Sequence, residues 1–227
     1  MPRETLDRQV RHLQDEVLLL GSMVEQAMLQ SVDALKNRDL ATARRIYNED
    51  PLINEKRYAI ENAILILIAT QQPMARDLRM LAAILEVITE LERMGDYAKG
   101  IAKVNMRLGD FEFDPSLNFA EFSTMADLAV GMLHRALGAF IAENAQLAHE
   151  IPAEDDAVDA LYNKVYRDLV GAMIANPDII DQANLLMWVA HNIERMADRV
   201  TNICERTVFI ATGELMEMDT DDEEETD

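Results

Sequence analysis

The sequence is poor in several residue types, and each shortage excludes a class of structure or function. It has one cysteine, eight glycines and six prolines, and aromatic residues make up 5% of the chain. A single cysteine excludes an internal disulfide and fits a reducing compartment. Basic residues are also scarce, since 21 Lys and Arg stand against 42 Asp and Glu, which gives a formal net charge of −21. No nucleic-acid partner is expected, because a phosphate backbone requires a basic face.

Long hydrophobic runs are lacking as well. The longest apolar stretches are residues 17–24 (VLLLGSMV) and 63–69 (AILILIA). Both are shorter than the roughly 20 residues that a transmembrane helix needs, so they are expected to form buried faces of helices. The chain opens without a basic and apolar leader, which argues against a signal peptide. The expected location is the cytoplasm, without direct insertion into a membrane.

The residues that are abundant favour α-helices. Ala, Leu, Ile, Met, Glu and Arg dominate, and apolar residues recur at helical spacing. Asp39 is the expected N-cap of the second helix, and Pro51 either kinks that helix or starts a new one with Asp50 as its cap. We expect an all-α protein whose six long helices cover about residues 5–36, 40–70, 74–108, 119–142, 145–175 and 179–211.

The two halves of the chain repeat each other, which predicts a tandem of two three-helix bundles. The first bundle is expected over residues 1–110 and the second over residues 117–213, with a disordered acidic tail at 214–227. The clearest repeat is the phrase ERMxD in the third and sixth helices. A shift of 102 residues aligns Glu92 and Asp96 with Glu194 and Asp198, and a shift of 105 aligns Asp50 and Asn54 with Asp155 and Asp159.

These aligned residues place pairs of carboxylates at i,i+4 beside the buried stripes of adjacent helices. Like charges at this spacing destabilise a helix, and burial raises the cost. A cation that bridges the two helices would compensate, and carboxylates suit metals such as Mg, Ca, Mn, Fe and Zn. The carboxylates could instead be solvated or matched by arginines of a neighbouring helix. The candidate metal ligands are Asp50, Glu92, Asp96, Asp155, Asp159, Glu194 and Asp198.

Four motifs together make the sequence resemble the PhoU family of phosphate-uptake regulators. They are DxxIN at 50–54, QQPxxxDLR at 71–79, LERMGD at 91–96 and IERMAD at 193–198. The resemblance implies the tandem three-helix fold and multinuclear iron or zinc on the acidic motifs. It also implies a non-enzymatic negative regulator that couples the ATPase subunit of a phosphate ABC transporter to a sensor histidine kinase. The expected oligomer is a homodimer.

Other interpretations of the acidic motifs lead to different classes of protein. A di-iron carboxylate oxidase needs Glu-x-x-His on two helices, whereas His191 precedes Glu194. A metal-free helical adaptor could use the acidic faces to dock a basic partner. Within the metal hypothesis, His191 is a further candidate ligand, and Asn54 weakens the first half because it brings no charge. Cys204 occupies a stripe position and is expected to be a buried, inert thiol.

Overall fold

The computed structural model describes residues 2–109, 111, 114, 117 and 119–218, and within them it contains helices and no strand. The prediction of an all-α protein is therefore confirmed. Two 3₁₀ turns, at Pro152–Glu154 and Pro177–Ile179, stand directly before the last two helices. The α-helices are α1 (Pro2–Lys36), α2 (Leu40–Gln71), α3 (Arg76–Leu108), α4 (Ala120–Ala142), α5 (Ala145–Glu150), α6 (Asp155–Ala175) and α7 (Ile180–Thr212).

The first interhelical turn follows the capping chemistry that the sequence predicts. One carboxylate oxygen of Asp39 accepts hydrogen bonds from the backbone N–H groups of Ala41 and Thr42, each at 3.0 Å. These bonds satisfy two of the donors that the start of a helix leaves without an intrahelical partner. Asp39 is thus confirmed as the N-cap of α2.

Two prolines inside predicted helices have opposite outcomes. Pro51 lies within α2, which is one continuous helix, so of the two alternatives the one in which Asp50 caps a new helix is excluded. Pro152 instead opens a 3₁₀ turn, so the single helix predicted over 145–175 is wrong. Proline removes one backbone donor in either case. In α2 the buried Ile46 and Ile53 on both sides of Pro51 anchor the helix to the core.

The apolar stripes predicted from helical spacing form the core. In α1, for example, all six apolar residues at helical spacing are buried and join one continuous cluster that extends through both halves. They are Val17, Leu20, Val24, Met28, Val32 and Leu35. Small residues allow close approach: a Cβ added to Gly95 of α3 would lie 3.0 Å from Ile53 Cδ1 of α2. Gly21 of α1 has the same role between the halves, since a Cβ there would clash with the Leu137 side chain of α4. The buried thiol of Cys204 is confirmed, and burial raises its pKa to about 12.

The two halves also meet through α3 and α7, the helices that carry the repeated phrase. Arg199 of α7 donates from Nε to the hydroxyl of Tyr97 at 2.6 Å and from Nη1 to Glu90 at 2.7 Å. Its guanidinium also lies over the Tyr97 ring, 5.6 Å from the ring centre. Tyr97 and Arg199 are equivalent positions of the repeat, each directly after the Asp of its phrase. The repeat thus places the two phrases side by side at the junction of the halves.

One helix among the described residues, α4, is long and apolar enough to cross a membrane by length and composition. Half of its most apolar window is buried inside the protein, and Phe122, Met125 and Phe140 are among its buried residues. Such burial against other helices is the normal position of a core helix, so α4 fits a soluble protein.

Only the beginning of the predicted acidic tail lies within the described residues. Residues 214–218 follow α7 without regular secondary structure. The backbone N–H of Met218 donates to Oε1 of Glu205 at 2.9 Å, which brings the chain back onto α7. Residues 219–227, on which most of the prediction of a disordered tail falls, lie outside the described part.

Candidate functional site

The candidate ligands of the first half come from two neighbouring helices. Asp50 lies on α2, and Glu92 and Asp96 lie one turn apart on α3. The Asp50 side chain is 5% exposed, whereas that of Asp96 is 52% exposed. The first-half group therefore extends from the protein interior to its surface.

The three carboxylates of the first half are close enough to influence one another. Burial raises the pKa of Glu92, and the negative charge of Asp96 raises it further. Burial also raises the pKa of Asp96, and here the charge of Asp50 adds to the effect. Glu92 and Asp96 are thus harder to ionise in the folded protein than in water. The helices bring the predicted residues together, and the ionised cluster requires positive charge nearby.

Basic side chains supply that charge in the first half. Lys99 Nζ donates to Oδ2 of Asp50 at 2.6 Å and lies 3.8 Å from Oδ1 of Asp96. Asn54 Nδ2 donates to the same Asp50 oxygen at 3.4 Å. Arg57 and Arg93 lower the pKa of Glu92, although less than burial raises it. The alternative that basic side chains match the carboxylates therefore describes the first half, with lysine as the main partner.

The candidate ligands of the second half also come from two neighbouring helices. Asp155 and Asp159 lie at the start of α6, and Glu194 and Asp198 lie on α7. The Glu194 and Asp198 side chains are 19% and 29% exposed. One carboxylate oxygen of Asp155 and one of Glu194 are buried. The charge of Glu194 raises the pKa of Tyr162 on α6, after burial as the main cause, so Glu194 faces that helix.

His191 lies beside Glu194, and two aromatic side chains lie near His191. His191 Nδ1 lies 3.3 Å from Oε2 of Glu194, so the histidine is on the same flank of α7, as the sequence predicts. The ring centres of Trp188 and Tyr162 lie 6.0 and 6.5 Å from that of His191. Sequence reasoning overlooked both aromatics, although Trp188 is three residues before His191 and therefore shares its face of the helix.

The side chains that lie beside the carboxylates differ between the two halves. Among the residues that the structure describes, no three His, Cys, Asp or Glu side chains are arranged to hold one metal. In the first half an ammonium group already lies against Asp50. In the second half, Arg195 Nη1 lies 2.8 Å from Asp198. The buried carboxylate oxygens and the imidazole there are the ligand types that iron and zinc accept.

Comparison with known proteins is consistent with this architecture. The family model described as the PhoU domain matches residues 6–104 and 122–207. The PhoU homolog of Clostridium acetobutylicum, a phosphate-specific transport system accessory protein, is 32% identical over 219 residues, which are 96% of this chain and 99% of that protein. A PhoU homolog of Caulobacter vibrioides is 35% identical over 207 residues, which are 91% of this chain and 89% of that one.

Solved structures give the same result at the level of the fold. The crystal structure of the phosphate transport system regulatory protein PhoU from Streptococcus pneumoniae superimposes with a TM-score of 0.85 at 31% identity, over 93% of this chain and 99% of that one. PhoU from Pseudomonas aeruginosa also gives a TM-score of 0.85, at 27% identity, over 92% of this chain and 99% of that one. With two matched domains, relatives over nearly the whole length and the same fold, this chain belongs to the PhoU family.

Proposed function

We propose that this chain is a negative regulator of phosphate uptake and of phosphate signalling. It acts in the cytoplasm, without turnover of its own, as a homodimeric adaptor between the ATPase subunit of a phosphate ABC transporter and a sensor histidine kinase. The observation that carries the proposal is the similarity to accessory proteins of the phosphate-specific transport system, which extends over 96% of this chain and 99% of the Clostridium acetobutylicum protein.

The surface of α2 supports the adaptor role. Its side chains Leu52, Tyr58, Leu65 and Ile66 are each more than half exposed. Exposed apolar side chains of this size on a strongly acidic protein are suited to contact another protein. The chain's net charge of −21 would attract a partner with a basic surface.

Metal binding is part of the proposal for the second half. Asp155, Asp159, Glu194 and Asp198 would hold the ion, with His191 as a further donor. Iron or zinc would neutralise these carboxylates and link α6 to α7. The buried oxygens of Asp155 and Glu194 support this assignment, because burial of ionised carboxylates costs free energy that a bound cation offsets.

A metal-free adaptor is the second candidate. The Lys99–Asp50 and Arg195–Asp198 ion pairs favour it, because they neutralise acids of both halves without a metal. Metal analysis of purified protein distinguishes the two candidates: iron or zinc that remains after gel filtration supports the first, and protein without metal from iron- and zinc-replete cells supports the second.

Deletion of the gene tests the regulatory role directly. In high phosphate, the deletion strain should express phosphate-starvation promoters that are silent in the parent strain, because the signal that represses the kinase is lost. A promoter–reporter fusion measures this, and a plasmid copy of the gene should restore silence. Reporter output that stays at the parent level would contradict the proposed role in signalling.

A further inference from the structure

Lys99 has a counterpart without charge in the second half. The shift of 102 residues that aligns the two ERMxD phrases places Thr201 at the position of Lys99. Lys99 reaches from α3 to Asp50 of α2 at 2.6 Å, whereas Thr201 is 7% exposed and carries no charge. The two halves therefore share their acidic phrase but not this lysine, and in the second half it is Arg195 that lies 2.8 Å from Asp198.

The Lys99 ammonium group is held in place from several directions. Asp50 binds it at 2.6 Å, Asp96 lies 3.8 Å away, and the ring centre of Tyr47 lies 5.7 Å away. Both carboxylates attract the ammonium group. Lys99 is therefore a positive charge fixed beside the acidic residues of the first half.

A fixed ammonium group and a metal ion compete for the same carboxylates. A metal bound to Asp50 would have to displace Lys99 from the 2.6 Å contact, and the charge of the displaced ammonium would still repel the ion at short range. Asp50 is 5% exposed, so it needs a positive partner whether or not metal is present. Lys99 meets that need permanently.

We propose that Lys99 is the built-in cation of the first acidic cluster and excludes metal from it. The inference deepens the proposed metal binding, on which it rests, by limiting that binding to the half without this lysine. The first acidic cluster then does not depend on the metal supply of the cell.

A lysine–threonine exchange tests the proposal. The Lys99→Thr variant gives the first half the residue type that the second half has at Thr201. This variant should bind at least one more Zn²⁺ per chain than the parent protein. Equilibrium dialysis of tag-free, EDTA-stripped protein against Zn²⁺ gives the stoichiometry. Lys103→Thr, an exposed lysine one turn further along α3, is the matched control and should bind as the parent does. Adding Glu92→Ala and Asp96→Ala to Lys99→Thr should abolish the gain.

Thermal unfolding gives a second readout that does not depend on stoichiometry. In EDTA, Lys99→Thr should lower the Tm by roughly 5 °C, because Asp50 loses its partner in a nearly buried position. Zn²⁺ should restore most of that loss in Lys99→Thr and leave the Tm of Lys103→Thr at the parent value. The reciprocal variant, Thr201→Lys, should bind less Zn²⁺ than the parent if it folds.

The outcomes separate this inference from the proposed function. Unchanged Zn²⁺ binding by Lys99→Thr would overturn the inference, and the metal site of the second half would stand if the parent binds Zn²⁺. A gain in Lys99→Thr with no binding by the parent would support the role of Lys99 and contradict the second-half metal site. A gain of equal size in Lys103→Thr would show that the loss of any positive surface charge on α3 increases Zn²⁺ binding. That result would also overturn the inference.

Discussion

Replacement of Arg199 by alanine should lower the free energy of unfolding by about 3 kcal/mol, the scale expected when one partner of a largely buried ion pair is removed. Arg199 and Glu90 are only 13% and 18% exposed, so Glu90 would be left in a poorly solvated place without its cation. The Tyr97 hydroxyl would lose its 2.6 Å donor as well. Because these residues join α3 to α7, the loss would weaken the junction between the halves.

Chemical denaturation measures this effect against a matched control. Arg45→Ala removes an arginine from an i,i+4 pair with Glu49, in which both side chains are about half exposed. It should cost about 0.5 kcal/mol, as exposed pairs do. The double variant Glu90→Ala/Arg199→Ala should cost less than the sum of the single variants, since each single change already breaks the pair. Equal losses from Arg199→Ala and Arg45→Ala would contradict an interlocked junction.

The second large effect concerns bound metal. The variant Glu194→Ala/Asp198→Ala should lose nearly all of the iron or zinc that the parent protein retains, because it removes two of four carboxylates. The variant Glu92→Ala/Asp96→Ala, in the half where Lys99 already neutralises Asp50, should keep the parent's metal content. Metal analysis by mass spectrometry of proteins purified in parallel gives the comparison, and circular dichroism checks that both variants fold. Equal loss, or a greater loss from the first-half variant, would contradict the asymmetry.

The fold could be predicted from the sequence because local patterns determine most of it. The stripe Val17, Leu20, Val24 already specifies which face of α1 is buried, and all three residues are fully buried. Asp39 could be recognised as a cap because its carboxylate accepts from the backbone N–H of Thr42, only three residues further along the chain. The i,i+3 relation of His191 and Glu194 is local in the same way.

Features that depend on distant packing could not be predicted in this way. Positions 51 and 152 are both proline, yet α2 continues through Pro51 and the chain forms a 3₁₀ turn at Pro152. Which outcome occurs depends on what the flanking residues bury, and a single helical pattern does not contain that information. The ion pair between Lys99 and Asp50 joins residues 49 positions apart, and it depends on how α2 and α3 are rotated against each other. The one indication of this ion pair in the sequence was that the aligned repeats have a lysine, Lys99, in the first half and a threonine, Thr201, in the second.

Phosphate uptake in the deletion strain tests most directly whether the chain is a regulator that acts through its second acidic cluster. The measurement is the initial rate of labelled phosphate uptake in high phosphate, with a plasmid copy of the gene. The parent gene and the Glu92→Ala/Asp96→Ala gene should both return the rate to that of the undeleted strain, whereas the Glu194→Ala/Asp198→Ala gene should leave it elevated. Normal uptake in the deletion strain itself, or full restoration by the second-half variant, would contradict that claim.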